Sequence, residues 1–364
     1  MINASLGPRM DTTGFRHQVV SGRAHFMRLN ADWEQLLERS QSIARPFLMH
    51  DWVRNWLDHF GPKYEPLMVL VYRREKLVAI APLWRYPNSR VGAIWTTFAF
   101  MGDPGADYHD LIVDESMDAQ EVYSYILNVL ADMGKRYATL RFQNVHSESA
   151  ARFANALPTA ATTLVRCPYV DTRRSTWEDY QRDILTKKMR YALKRGKKAG
   201  HLEYHVISNH SDIDPFMKTL FDMHIKRWDG DSAMKLEGVR SVLTNLAHDY
   251  MRQSRLHLAY LSIGGEVAAS TYGFRDRKRL YCYLKAHNPD MGRLSPGTLM
   301  IYFLLSHEYG QFDVIDFMQG TTPYKYHWAN GETYTRTYRL YRSRLHKAVH
   351  ARLIRQVATD EDEL

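Results

Sequence analysis

Apolar residues recur along this chain in two rhythms, one of three to four residues and one of two, and segments of each kind alternate through its length. Between Asp51 and His59, Trp52 and Trp56 stand four apart and share a helical face. Leu67–Tyr72 and Leu77–Leu83 are runs rich in Val, Leu and Ile, parted by the polar Arg73-Arg74-Glu75-Lys76, which predicts a hairpin. Ala93–Met101 reads as a further strand, broken by Gly102-Asp103-Pro104-Gly105. Val122, Ile126, Val129 and Leu130 stripe a helix over Ala119–Met133, and Ala138–Phe142 follows as a short strand.

The second half repeats this order. Ser175 and Glu178 have the spacing of a capping box, predicting a helix from there to about Arg195, stopped at Gly196. A second helix starts near Asp212, with Ile213, Phe216, Met217, Leu220 and His224 on one face, and a third spans Leu236–Met251. Leu256–Ile263 and Val267–Phe274 flank Gly264-Gly265, a two-residue hairpin signal. Strand Leu280–Ala286, helix Thr298–Tyr309, strand Val314–Phe317, a Tyr-rich strand Tyr334–Tyr341 and a terminal helix His346–Val357 complete the reading.

Helix, hairpin, third strand, helix, fourth strand thus occur twice, at a period of about 150 residues, which predicts duplication of one α/β (α+β) unit. The expected organisation is a partly ordered leader over 1–25, a first domain over 26–170, a second over 171–345, and a helix with an acidic tail over 346–364. The linker is expected near Pro168–Arg174.

Composition narrows the class. With 45% hydrophobic and 24% charged residues the 364-residue chain is an ordinary globular one. It has no run of about 18 apolar residues, so no transmembrane helix is expected, and Met1–Phe26 has no apolar core of a secretory signal. Two cysteines, Cys167 and Cys282, both in strand contexts, fit buried thiols in a reducing, cytoplasmic compartment. The formal charge of +9 favours an anionic partner.

Five places could carry chemistry. After strand 280–286 comes a loop, then Ser295, Pro296, Gly297 and Thr298. Ser295 suits an N-cap and Pro296 the first helical position. Free N–H groups and the dipole of such a helix start attract phosphate, with Arg293 as a charged supplement, and a well-capped structural helix reads equally well. Downstream, Asp316 interrupts an apolar strand and must be paired or face a cleft. Tyr324 and Tyr326 are candidate acids and Lys325 a candidate anion clamp, against aromatic packing in a turn. His224 lies on its helix's apolar face, followed by Arg227 and Trp228, as a core residue or as a base at a cleft wall. The run Lys187–Lys198 is a solvated helix face, or meets a polyanion or an anionic membrane. Asp107-Tyr108-His109-Asp110 could line an acceptor cleft. Metal, ATP and serine-hydrolase motifs are missing, as are those of nucleic-acid readers.

Phe47 with Trp52 and Trp56, Ala81-Pro82-Leu83, Asp107-Tyr108, His224–Trp228, Gly265–Ala269, Ser295-Pro296-Gly297, Asp316–Gly320 and Tyr324-Lys325, in this order and spacing, resemble the CelD/BcsL-type acetyltransferases of the GNAT superfamily. That family is linked by name to cellulose and exopolysaccharide synthesis, and is similar in architecture to the tandem Fem aminoacyl transferases. The resemblance implies two GNAT-like domains, each with a mixed, mostly antiparallel sheet flanked by helices. It implies acetyl-CoA or another acyl-CoA as co-substrate, without a metal, and direct attack on the thioester by an amine or hydroxyl of a sugar, nucleotide sugar or exopolysaccharide precursor. Arg293, Ser295, Gly297 and Thr298 would hold the donor pyrophosphate, although Pro296 removes one N–H from the superfamily's usual loop. His224 or Asp316 would be the base and Tyr324 the acid. Asp107, Tyr108, Arg227, Trp228 and Lys325 would meet the acceptor, a small molecule or glycan. The alternatives are a Fem-like transferase using aminoacyl-tRNA, held by Lys187–Lys198, and a non-catalytic binding protein in polysaccharide assembly.

Overall fold

A computed structural model describes residues 14–61, 64–88, 92–103, 105–133, 137–157, 161–228, 231–343 and 347. The first 13 residues of the expected leader, Pro104 of the expected break, and all but Lys347 of the expected helix and tail over 346–364 lie outside them. The chain divides into two compact units, 1–164 with 335–364, and 165–334.

The first unit contains strands β1 (Phe15–Ser21), β2 (Glu65–Arg73), β3 (Lys76–Asn88), β4 (Gly92–Phe100), β5 (Ile112–Val113) and β6 (Thr139–His146). β7 (Ala161–Asp171) begins in it and ends in the second unit. Its helices are α1 (Arg23–Arg28), α2 (Asn30–Glu38), α3 (Arg45–Leu48), α4 (His50–Phe60), α5 (Ala119–Asp132) and α6 (Ser147–Ala156). β1 to β4 run antiparallel in sequence order, β4 pairs in parallel with β6, and β6 pairs antiparallel with the last strand of the chain. Within the span expected as a partly ordered leader, β1 pairs along its whole length with β2, and Phe15 is fully buried. Trp52 and Trp56 point into the core as their spacing predicts, at 1% and 4% exposure.

The second unit holds α7 (Trp177–Ile184), α8 (Lys187–Ala199), β8 (Leu202–Val206), α9 (Ile213–Trp228), α10 (Glu237–Arg252), β9 (Leu256–Ile263), β10 (Glu266–Asp276), β11 (Arg279–His287), α11 (Pro296–Glu308), β12 (Val314–Asp316) and α12 (Pro323–Trp328). β13 (Gly331–Tyr341) begins here and crosses back into the first unit. β8 to β11 are antiparallel, β11 and β12 parallel, and β12 pairs antiparallel with the end of β7. Both sheets therefore share one plan: four antiparallel strands, a parallel fifth and an antiparallel sixth. The sixth strand of each unit comes from the opposite end of the chain than the second would predict. β7, which precedes α7, closes the second sheet, and β13 closes the first. Residues 335–343, expected in the second domain, accordingly belong to the first unit.

One predicted helix is two. The chain breaks at Leu185-Thr186, where the Thr186 hydroxyl accepts the Met189 amide and starts α8. The N-cap of α7 is Thr176, which accepts the Asp179 amide, and not Ser175. α8 runs through Gly196, since a Cβ there would lie 3.0 Å from Leu299, so glycine serves the close packing of α8 on α11. Ile301, Leu304 and Leu305 of α11 pack with Leu280, Ile315, Met189 and Ile184. At about 1.5–3 kcal/mol for each buried aliphatic side chain, this cluster ties α11 rigidly to the end of the β11–β12 pair.

Candidate active site

The geometry of the site begins with a short parallel pairing. Arg279, Leu280 and Tyr281 of β11 face Val314, Ile315 and Asp316 of β12. β12 then ends, while β11 runs on for six residues to His287 with no partner strand on that edge among the described residues. Just past the parting, Cys282 and Tyr283 lie opposite the single residue Gly273 of β10, a β-bulge. A Cβ on Gly273 would stand 2.5 Å from the Tyr281 carbonyl, so only glycine fits. The bulge bends β11 and re-aims the side chains beyond it.

The first unit has the same three-residue parallel pairing, Thr97–Ala99 on Thr139–Arg141. There, its own loop occupies the edge beyond. The His109 amide donates to the Asn144 carbonyl at 3.0 Å, His109 bridges Val145 in parallel, and Tyr108 and His109 are both fully buried. The second unit is therefore the one with an open edge.

α11 starts at that edge. Ser295 adopts a left-handed conformation (φ 58°, ψ 49°), and its side chain does not cap the helix. Its carbonyl instead receives the Thr298 and Leu299 amides at 3.0 and 3.1 Å. The Ser295 hydroxyl accepts from Arg195 of α8 at 3.3 Å, and the Arg195 Nε is buried without an acceptor among the described residues. Pro296 lacks an N–H, so Gly297 is the first-turn residue whose amide stays available. A Cβ on Gly297 would lie 3.1 Å from His287 Nδ1, so a side chain here would press on the strand. Arg293 is exposed on the preceding turn, Pro289–Leu294, and Thr298 is half-buried. The four residues predicted to hold a donor thus stand together, but with fewer free amides than expected, and with Arg195 as an addition.

The wall beside them comes from α9, β11 and α12. Arg227 donates to His287 Nδ1 at 3.1 Å, which leaves His287 neutral with its proton on Nε2. Burial, then Arg227 and Lys285, hold His287 down to about 4. His224 Nδ1 is 2.8 Å from the Ser232 hydroxyl, and burial followed by the Arg227 charge lowers its pKa. Both imidazoles are neutral at pH 7. Lys285 Nζ stands 2.9 Å from the centroid of the Tyr324 ring. Burial, then Arg227 and Lys325, bring Lys285 down to about 7. Burial and the nearby Cys282 thiol push Tyr324 up to about 12, so its phenol is a proton donor at neutral pH. Cys282 itself is pushed up to about 12, first by burial and then by Asp316, and remains a thiol.

Several expectations change in detail. Asp316 is fully buried, pairs with Arg279 at 2.9 Å and accepts the Met318 amide at 2.9 Å. Its carboxylate braces the end of β12 and the left-handed Met318 (φ 62°), which leaves it no part as a base. Lys325 is buried and donates to the Met318 and Gln319 carbonyls, so it ties down the same turn and does not clamp an anion. Tyr108 is fully buried between Phe47 and His146 in the first unit, and so cannot touch an acceptor, while Asp107 beside it is half-exposed. Trp228 is 48% exposed, with the Arg227 guanidinium 4.9 Å over its ring. Sequence reading missed Lys285, His287 and Arg195. Lys285 carried the signal used for Asp316, a charge within an apolar strand. Arg195 was hidden in the basic run of α8.

Residues 185–326 match the family model described as the acetyltransferase (GNAT) domain. The fold is similar to solved structures of FemX (TM-score 0.58, 8% identity, covering 85% of this chain and 95% of that one). It is similar too to the C-terminal DUF2156 domain of a putative lysylphosphatidylglycerol synthetase from Agrobacterium fabrum (TM-score 0.55, 12% identity, 90% and 94% covered). A third is L-PGS from Bacillus licheniformis (TM-score 0.52, 13% identity, 90% and 95% covered). At these identities the likeness is one of fold. No curated protein matches the chain significantly. Residues 185–326 thus carry a GNAT-type acetyltransferase domain, which makes the protein an acyltransferase, and its mixed α/β fold has two units that share one strand plan. Among the described residues no helix is long and apolar enough to cross a membrane, and no group of three or more His, Cys, Asp and Glu could hold a metal ion.

Proposed function

We propose that the protein transfers an acyl group from acyl-CoA, acetyl-CoA first, to an amine or hydroxyl of a sugar, nucleotide sugar or exopolysaccharide precursor, as a cytoplasmic enzyme of the CelD/BcsL type. The observation that carries this is the open edge of β11 running directly to the start of α11. A diphosphate fits that helix start chemically. The Gly297 amide is available, Arg195 Nε is a buried donor in want of an acceptor, and Arg293 adds charge. An extended thioester arm would then lie along the unpaired edge of β11, whose free amides are the natural partners of a developing oxyanion.

His224 and Tyr324 supply the proton chemistry. With Nδ1–H donated to Ser232, His224 offers Nε2 to free an ammonium acceptor of its proton. The nucleophile bonds to the carbonyl carbon, the carbon–sulfur bond breaks, and Tyr324 protonates the leaving thiolate. Arg227 and the exposed Trp228 would meet the acceptor.

A second reading rests on α8. Lys187, Lys188, Arg190, Lys194, Lys197 and Lys198 are exposed, and none forms an ion pair among the described residues. Such a face suits a polyanionic carrier of the acyl group, an aminoacyl-tRNA, or an anionic membrane. Thermal stabilisation separates these. Acetyl-CoA raising the melting temperature of the full chain, with no effect in Gly297→Trp, supports the first reading. Stabilisation by aminoacyl-tRNA and not by acetyl-CoA overturns it in favour of the second.

A further inference from the structure

Resting on that donor reading, we propose that Lys285 is a catalytic group, which takes the proton that the attacking nitrogen or oxygen carries into the tetrahedral adduct and hands it to Tyr324. Lys285, opposite Thr271 of β10, lies on the stretch of β11 that has no partner strand on its other edge among the described residues, two residues past the bulge and two before His287. It has no carboxylate partner and no hydrogen bond among the described residues. Every charged group that acts on it is a cation: Arg227 from α9 and Lys325 from α12. The uncharged titratable groups that touch it or act on it, Cys282 and His287 on β11 and Tyr324 on α12, are neutral near pH 7. An amine so placed gives up its proton far more readily than an ordinary lysine, and with its lowering to about 7 a large share of it carries a free lone pair at neutral pH. A buried lysine with a structural role would be given a counter-ion or carbonyls, as Lys325 is by Met318 and Gln319.

The protons balance. The bond from the nucleophile to the carbonyl carbon forms, and the proton on the attacking atom moves to Lys285 Nζ. The carbon–sulfur bond breaks, its electron pair stays on sulfur, and Tyr324 protonates the thiolate. The Lys285 ammonium, lying over the Tyr324 ring at 2.9 Å from the centroid, stabilises the phenolate and returns the proton to it. Lysine amine and tyrosine phenol are both restored, and no further reactant is needed.

Trace acetylation of the full chain with acetic anhydride across pH 5.5–9.5, read per lysine by peptide mass spectrometry, tests the resting state. Lys285 is expected to gain reactivity with a midpoint near pH 7, far below the value of about 10.4 for an unperturbed lysine side chain. Lys285 reactivity that shows no midpoint below pH 9.5 overturns the proposal. Added acetyl-CoA should shield Lys285. If Lys285 titrates near neutral but is not shielded, the donor reading fails and the amine's state stands. Lys285→Met and Lys285→Arg should keep acetyl-CoA binding by calorimetry. Both should lower kcat roughly 100-fold and abolish the rate limb near pH 7 in CoA release with glucosamine as acceptor. Lys285→Met combined with Tyr324→Phe should lose little more than either alone. A Lys285→Met enzyme with the parent's pH–rate profile overturns the role.

Discussion

Two side chains show how differently a charge can be used within one wall. Asp316 is 0% exposed, and both its oxygens are engaged, by Arg279 and by the Met318 amide. Replacing Arg279 with Met would leave that carboxylate buried without its counter-charge, which costs about 3–5 kcal/mol. Urea unfolding of Arg279→Met should therefore show a loss of this size, while His224→Ala, removing a half-buried ring bonded to one serine, should unfold nearly as the parent does. A His224→Ala protein that is destabilised as much as Arg279→Met would place His224 in the core. Gly297 makes the opposite demand, for an empty space. Its missing Cβ keeps 3.1 Å clear of His287 Nδ1, the atom that receives Arg227. Gly297→Ala should push His287 off the guanidinium and weaken acetyl-CoA binding about tenfold by calorimetry. The sequence marked Asp316 and Gly297 as special but could not say how, because the difference between a brace and a base is whether Arg279, 37 positions earlier in the chain, reaches the carboxylate.

At the scale of elements, α8 combines two roles that its sequence blends. Seven basic residues lie between Lys187 and Lys198, and periodicity places most of them on the outer face, where they are found. Arg195 departs from the run, turning toward the start of α11 with a buried Nε. Arg195→Ala should weaken acetyl-CoA binding about tenfold, and Lys194→Ala should leave it unchanged, because the neighbour's ammonium is in solvent and screened. Equal effects of the two substitutions in calorimetry would mean that α8 acts only through its overall charge. The hairpins β2–β3 and β9–β10 were legible because turn residues and apolar runs coincide, at Arg74-Glu75 and at Gly264-Gly265. The break between α7 and α8 was not, since Leu185-Thr186 contains neither Pro nor Gly and the apolar stripe continues across it. Only the Thr186 cap, a contact one turn long, divides the helix.

For the whole molecule, the duplication was readable in the order of elements, whereas the origin of each sixth strand was not. β7 and β13 carry ordinary strand patterns, and pairing across more than 140 residues leaves no local trace: Val170 faces Ile315 in the second unit, and Leu340 faces Leu140 in the first. The same duplication explains why one unit is open and the other filled, and the filling has a consequence in acid. His109, in the loop that fills the first unit's edge, is fully buried against Phe100, with ring centroids 5.4 Å apart and stacked. Burial lowers its pKa to about 4, against about 6.5 when the chain is unfolded. Between those values the unfolded chain binds a proton that the folded one refuses, so stability falls as pH drops from about 6.5 and levels near 4. The full interval corresponds to about 3 kcal/mol. His109→Leu removes this linkage while keeping the position apolar. Urea unfolding at pH 7 and pH 4.5 should therefore show an acid-induced loss smaller by about 2–3 kcal/mol in His109→Leu than in the parent. Equal losses would mean that the loop opens to admit the charged ring, and that the first unit's edge is sealed less firmly than the buried Tyr108 and His109 indicate.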